Sequence, residues 1–339
     1  MVDSKLLQRN SSMELLRIVS MLFIMGLHFL MVFDFPRYED SIKAPLNTFV
    51  YFLLESLTII AVNVFVMLSG WFGIKPKKKS FCSLCFEVAF YGIMLFIIEA
   101  FLHNGQNITI KGMKHLLLGG PDDFWFVKAY ILLYCLTPVL NTFVLNTSRD
   151  TFKKVLVAFF VFQSIYGWFL LATRWFAGGY STISFIGLYL LARYMSIYKP
   201  KFVQFRLSVD VLIFICLILL STFWSFVFCR HNIFLYDLAF VYTSPMVILS
   251  AAYLIIIFSK ISFRSRFINW VAMSAFAVYL FHYNPLIYNY YCDLAIWCDN
   301  RGTIKVLFFP VAIVLVFVFV VLIDQARKYL WKKISIRLF

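Results

Sequence analysis

Long apolar runs alternate along the chain with short polar, charged stretches. Ten runs have the length and apolar content of helices that cross a bilayer: 15–33, 46–73, 81–102, 124–145, 155–173, 180–197, 207–228, 238–258, 267–291 and 304–323. A transmembrane helix needs ~20 mostly apolar residues. Only helices and closed barrels satisfy every backbone polar group in lipid, and runs that are continuously apolar rather than alternating select the helix. The pattern therefore predicts an all-α, polytopic integral membrane protein with about ten transmembrane helices. It forms one transmembrane domain over 1–339, with a short tail at 324–339. The longest weakly hydrophobic stretch, Asn104 to Asp123, reads as a loop. No small-residue cleavage site follows the first apolar run, so no cleaved signal is expected.

Composition supports this reading. Apolar residues make up 63% of the chain and charged residues only 14%, whereas soluble domains carry about 25% charged residues. A soluble fold of this length would not hide that much apolar surface. The net charge of +15 would raise nucleic acid as a partner in a soluble protein, but its placement argues otherwise. With the N-terminus taken as cytosolic, 22 Lys and Arg fall on the inner side and 8 on the outer side, the bias alternating at every loop. The inner clusters include Lys75–Lys79, Arg193–Arg206 and Arg327–Arg337. This is the positive-inside pattern. It predicts cytosolic N- and C-termini in a multi-pass protein of the inner (plasma) membrane, with contact to anionic lipid. No nucleic-acid motif accompanies the charge.

The seven cysteines are scattered. Cys82 and Cys85 form a lone CxxC with no second pair to complete a zinc site, so they read as buried thiols and no metal is expected. Cys292 and Cys298 share a predicted outer loop, where an oxidising environment would permit a disulfide.

Ionisable groups within spans are costly and mark candidate chemistry. Arg17 and His28 stand eleven residues apart in the first span. That is close to three helical turns, so both side chains share one face, separated by about 16 Å of rise. Arg17 falls at the cytosolic edge, three residues after Glu14, and His28 in the outer half. Two readings of each are open. Arg17 is a topology anchor or a ligand for an anion, and His28 is a hydrogen-bonded contact between helices or a base. Glu55 in the second span and His282 in the ninth reach a depth comparable to His28. The three would suit one polar cavity in which a carboxylate orients an imidazole; a structural hydrogen bond explains Glu55 and His282 equally well. Lys128 snorkels outward on this reading, and Asn63, Gln163 and Asn284 read as polar contacts between helices. Trp125, Trp168, Trp175 and Trp297 cluster at outer helix ends, as an aromatic belt does.

Four segments carry a family resemblance. Arg9 to Phe29 reads RNSSMELLRIVSMLFIMGLHF, with ten residues between Arg17 and His28. Asn63 to Gly73 reads NVFVMLSGWFG, Trp125 to Asn141 reads WFVKAYILLYCLTPVLN, and Val278 to Ile287 reads VYLFHYNPLI. Together, and in this order, they resemble the membrane-bound acyltransferase family 3, in its bacterial polysaccharide and exopolysaccharide O-acetyltransferase form. The sequence departs from the family pattern where Leu15 and Leu16 directly precede Arg17, and where Asn63 replaces an acidic residue. The resemblance implies a cytosolic acyl donor, usually acetyl-CoA or another acyl-CoA, and an acceptor hydroxyl on a glycan or lipid-linked saccharide of the envelope. On that footing Arg17, with Lys75 and Lys77, would hold donor phosphates, while His28, with Glu55 and His282, would serve the chemistry. A transporter or flippase for lipid-linked sugars is the competing class. It calls for paired, interrupted helices in matching halves, and no such repeat is evident.

Overall fold

The computed structural model describes residues 9–102, 104, 124–170, 174–230 and 233–339. The expected loop 104–123 lies outside the described residues, except for Asn104. Helices are the only regular elements, and no strand occurs among the described residues. In chain order they are α1 (Ser11–Leu30), α2 (Tyr38–Lys43), α3 (Pro45–Thr58), α4 (Ala61–Phe72), α5 (Lys78–Leu102), α6 (Trp125–Asn146), α7 (Arg149–Phe162) and α8 (Thr182–Tyr198). These are followed by α9 (Leu207–Phe228), α10 (Ile233–Asp237), α11 (Pro245–Lys260), α12 (Arg266–Ala272), α13 (Ala275–His282), α14 (Pro285–Asp299) and α15 (Lys305–Leu338). Seven helical stretches are long and apolar enough to cross a membrane: α1, α3 with α4, α5, α6, α7 with its π-helical extension, α9 and α15. Two further apolar helices, α8 with 17 residues and α11 with 16, are slightly shorter. The chain is thus an all-α, multi-pass membrane protein.

Several expected spans differ in detail, each for a local reason. The run 46–73 is interrupted at Ile59–Ile60 between α3 and α4. Just before the break, the Thr58 hydroxyl donates back to Leu54 O at 2.8 Å, a bond that bends helices. The run 155–173 continues α7 into a π-helix at Gln163–Phe169. There Thr243 Oγ1 donates to Gly167 O at 2.8 Å. A Cβ on Gly167 would lie 2.9 Å from the Phe176 ring, so the absent side chain makes room for that ring. The run 238–258 becomes helical only at Pro245, which stands at the first helical position, where its missing N–H costs nothing.

The expectation of one continuous helix over 267–291 is not met. The segment breaks between α12 and α13, and again at Tyr283–Asn284. Pro285 causes the second break: it supplies no N–H and holds Asn284 extended, at φ −67° and ψ 135°. The Asn284 side chain then caps α14 by accepting from Leu286 N at 3.1 Å. Because α14 runs on to Asp299, Cys292 and Cys298 occupy one helix rather than a loop. Six residues along a helix put them about 9 Å apart in rise alone, beyond disulfide reach, and both thiols are free. Cys82 and Cys85 are half-buried rather than buried. Through 324–339, α15 continues as helix to Leu338, with Asp324 and Arg327 buried.

The chain divides into two units, Met1–Lys75 with Ala129–Asn269, and Pro76–Lys128 with Trp270–Phe339. In the first, α4 is central and packs against α8, α11 and α1, while α3 packs against α9 and α1. Gly70 permits the α4–α8 approach: a Cβ there would sit 2.5 Å from Tyr189 O. Asn63 ties α4 to the chain before α11 through Nδ2 donating to Tyr242 O at 2.9 Å, the contact role expected of it. In the second unit, α13 and α14 pack on α15, and α5 packs on both α13 and α15. Its centre is ionic. Fully buried Asp324 accepts from Arg327 Nε at 2.5 Å and Nη2 at 3.1 Å, and from Tyr91 Oη at 3.1 Å. Lys328 Nζ lies 3.4 Å from the same carboxylate, and Glu87 lies 3.6 Å from Arg327.

Candidate functional site

The first unit positions Arg17 and His28 on α1. Asn10 starts that helix, its side-chain oxygen accepting from Ser12 N at 3.2 Å and Met13 N at 3.4 Å. Ser265 N donates to Ser11 Oγ at 2.9 Å, which pins the same end to the chain ahead of α12. Glu14 occupies the first turn, where the helix dipole favours a carboxylate. Only 5% exposed, it is shared by two guanidiniums. Arg9 Nε lies 3.0 Å from one oxygen, and Arg17 Nη1 hydrogen-bonds the other. Burial pulls the Arg9 guanidinium below its ordinary pKa and the Arg17 charge acts the same way, while Glu14 opposes both. The triad carries one net positive charge and holds Arg17 in a fixed orientation.

His28 lies in the last turn of α1 and is buried. Helix α3 runs back alongside, with Tyr51 Oη donating to Leu30 O at 3.2 Å. One turn further along α3, Glu55 is 2% exposed and its Oε2 is a buried oxygen without a hydrogen-bond partner among the described residues. A buried carboxylate oxygen left unsatisfied is uncommon in folded proteins. The antiparallel register carries Glu55 from the Leu30 end toward the depth of His28, on a helix packed against α1.

Further polar contacts gather at the C-terminal end of α4. Ser69 Oγ and Tyr130 Oη are 3.0 Å apart, and Tyr130 lies within electrostatic reach of Arg17. Beyond Phe72 the chain turns at Gly73, whose φ of +75° suits glycine. Three hydrogen bonds fix the turn. Ile74 N donates to Tyr189 Oη at 3.2 Å, Tyr189 Oη donates to Asn141 Oδ1 at 2.7 Å, and Asn141 Nδ2 donates to Ile74 O at 2.9 Å. Lys75 follows this turn and is exposed. The order of residue types in the sequence did not single out Tyr130, Asn141 or Tyr189; their roles come from tertiary contact.

His282 and Lys77 belong to the second unit. Lys77 is exposed ahead of α5. His282 is fully buried at the end of α13, where the helix breaks. Its Nδ1 is 2.6 Å from Val278 O. A carbonyl only accepts, so Nδ1 carries the proton and Nε2 is the acceptor nitrogen. The ring sits between Tyr279 and Tyr291, with centroids 6.2 and 5.3 Å away. Gln163 is buried in the π-helix, and Asn284 acts as a helix cap. No group of three or more His, Cys, Asp or Glu suited to hold a metal ion occurs among the described residues.

An all-α membrane-spanning chain with an arginine and a buried histidine on one helix face defines a class of multi-pass membrane protein with a polar, chemistry-bearing interior. Comparison with known families narrows it: a model described as an acyltransferase domain matches residues 10–325. The chain belongs to acyltransferase family 3 and is a membrane acyltransferase. No curated protein and no solved structure shows a significant match to it.

Proposed function

We propose that the protein is an O-acyltransferase, most simply an O-acetyltransferase, of the bacterial inner membrane. On this reading it takes an acyl group from acyl-CoA on the cytosolic side and delivers it to a hydroxyl of a cell-envelope or secreted glycan. The observation that carries the reading is the pairing, in a family member, of a fixed guanidinium and a buried imidazole on one face of α1. Arg17, held by Glu14, offers a planar fork suited to phosphate oxygens of the donor. Lys75, exposed just beyond the Gly73 turn, adds cationic field for the donor. His28 acts as general base: it takes the proton of the acceptor hydroxyl as that oxygen attacks the thioester carbonyl. The carbon–sulfur bond then breaks, the coenzyme A thiolate leaves, and the imidazolium returns the proton to it. Glu55, buried on the adjacent helix with an unsatisfied oxygen, is suited to orient the imidazole or to stabilise its charged form. His282 belongs to the other unit, where its Nδ1 is committed to Val278 O.

The test is His28→Ala in the native host, scored by ester content of the envelope glycans and normalised to membrane-inserted protein. Loss of a general base lowers the rate about 10²–10⁴-fold, so ester should fall to background. Full ester content with a normal protein level would remove His28 from the chemistry.

A further inference from the structure

Every well-shielded cation of the first unit except one has an acid beside it. Arg9 and Arg17 share Glu14, and Lys260 pairs with buried Asp210. Arg193, on α8, is half-buried and has no carboxylate within ion-pair distance among the described residues. Its guanidinium lies over the turn after α4: a Cβ on Gly73 would come within 2.9 Å of Nη1 and 3.0 Å of Cζ. Nη1 donates to Trp71 O over a long 3.5 Å, and the buried Nε has no hydrogen-bond partner among the described residues.

Capping the C-terminal end of α4 accounts for part of this, since a cation there meets the negative end of the helix dipole. It leaves Nε unused and the charge without a counter-ion. The surroundings are built rather than loose. The Ile74–Tyr189–Asn141 hydrogen bonds lock the turn beneath the guanidinium. Near the same end of α4, Ser69 Oγ and Tyr130 Oη are 3.0 Å apart. Tyr130 feels the charge of Arg17, Tyr189 feels that of Arg193, and the two tyrosines feel each other. Arg193 on α8 and Arg17 on α1 both stand on helices packed against α4, whose C-terminal end leads into the Lys75–Lys79 cluster. Coenzyme A carries two separated anionic groups, a diphosphate and a ribose phosphate.

We propose that Arg193, above the Gly73–Ile74 turn, is a second phosphate-binding position of the donor site, Arg17 being the first. This rests on the reading of acyl-CoA as donor. The guanidinium supplies the forked donor pair that phosphate oxygens take. Gly73 is glycine both for its backbone angle and because any side chain would displace Arg193.

The experiment uses the full chain in phosphatidylcholine nanodiscs, with coenzyme A as the probe and wild type, Arg193→Gln, Arg193→Lys and Arg17→Ala compared. Loss of one charged hydrogen-bonding group weakens binding about ten- to hundredfold, which is the expected change for Arg193→Gln. Its Kd should also depend less steeply on salt than that of wild type, a readout that a helix-capping role would not move. If Arg193→Gln lowers the melting temperature, Arg193→Lys carries the measurement: it keeps the charge and loses the fork, so a several-fold weakening is expected. Wild-type affinity in the Lys variant, or in a stable Gln variant, would overturn the inference while loss in Arg17→Ala left the donor reading standing. An affinity difference that emerges only in phosphatidylglycerol nanodiscs would assign the anion to lipid, and also overturns it. Absence of coenzyme A binding by the wild type would bring down the donor reading itself.

Discussion

The ionic centre of the second unit sets a sharp energetic expectation. Asp324 is wholly buried and receives Arg327 Nε at 2.5 Å, Arg327 Nη2 at 3.1 Å and Tyr91 Oη at 3.1 Å, with Lys328 at 3.4 Å. Asp324→Asn keeps the shape but turns one acceptor into a donor facing donors. It leaves Arg327, 4% exposed, with only Glu87 at 3.6 Å to offset its charge. Removing one partner of a buried pair costs about 3–5 kcal/mol, because the remaining charge stays desolvated. At about 2–4 °C per kcal/mol this is a fall in melting temperature of roughly 6–20 °C. Intrinsic tryptophan fluorescence in detergent, with size-exclusion elution as a second probe, measures it. Arg327→Gln alone should cost a similar amount. The double variant should cost less than the sum, with a coupling of about 0.5–3 kcal/mol. A melting temperature for Asp324→Asn within 2 °C of wild type, or strict additivity in the cycle, would refute the claim that this network holds α5 to α15.

Two further contrasts test packing and charge. Gly70→Ala places a Cβ 2.5 Å from Tyr189 O and 2.9 Å from the Ala192 Cβ, atoms that cannot rotate away, so a loss of about 1–3 kcal/mol is expected in the same melting assay. Gly187→Ala meets the Phe159 ring instead, at 2.1 Å, and a ring can swing aside, so its cost should be the smaller of the two. Lys260→Met strands the buried Asp210 carboxylate and should lower the melting temperature clearly. Lys43→Met breaks the Glu39 pair, whose side chains are 75% and 77% exposed, and should leave it within error.

The membrane helices were legible from the sequence because lipid demands an uninterrupted apolar run, and such runs are written directly in the residues. The Arg17–Glu14 pair was legible too, since three residues along a helix bring two side chains together. The interruptions were less so. The π-helix at Gln163–Phe169 answers to Thr243 and Phe176, which are distant in sequence. Hydropathy alone ran the ninth segment straight through Pro285 and stopped it before Cys292. The resulting loop suggested a disulfide that a continuous α14 rules out by rise. Arg193 was legible only as a member of the basic cluster Arg193–Lys201, which topology or phosphate contact explains alike. By position it is one more inner-side cation, and what distinguishes it is a missing acid, which only tertiary packing reveals.

The break at Tyr283–Asn284 also bears on how the protein is assembled. During insertion, 267–291 presents itself as a single apolar stretch, which enters lipid most readily as one unbroken helix. An interrupted helix leaves amides and carbonyls unpaired, and hydrocarbon tolerates these only where protein surrounds them. The residues that surround α13 come from α5 and Phe126, made earlier, and from α14 and α15, made later. The bend around His282 is therefore expected late in biogenesis: it should become stable only after α15 has been synthesised and inserted, so that the His282 environment matures at the end of translation rather than during it.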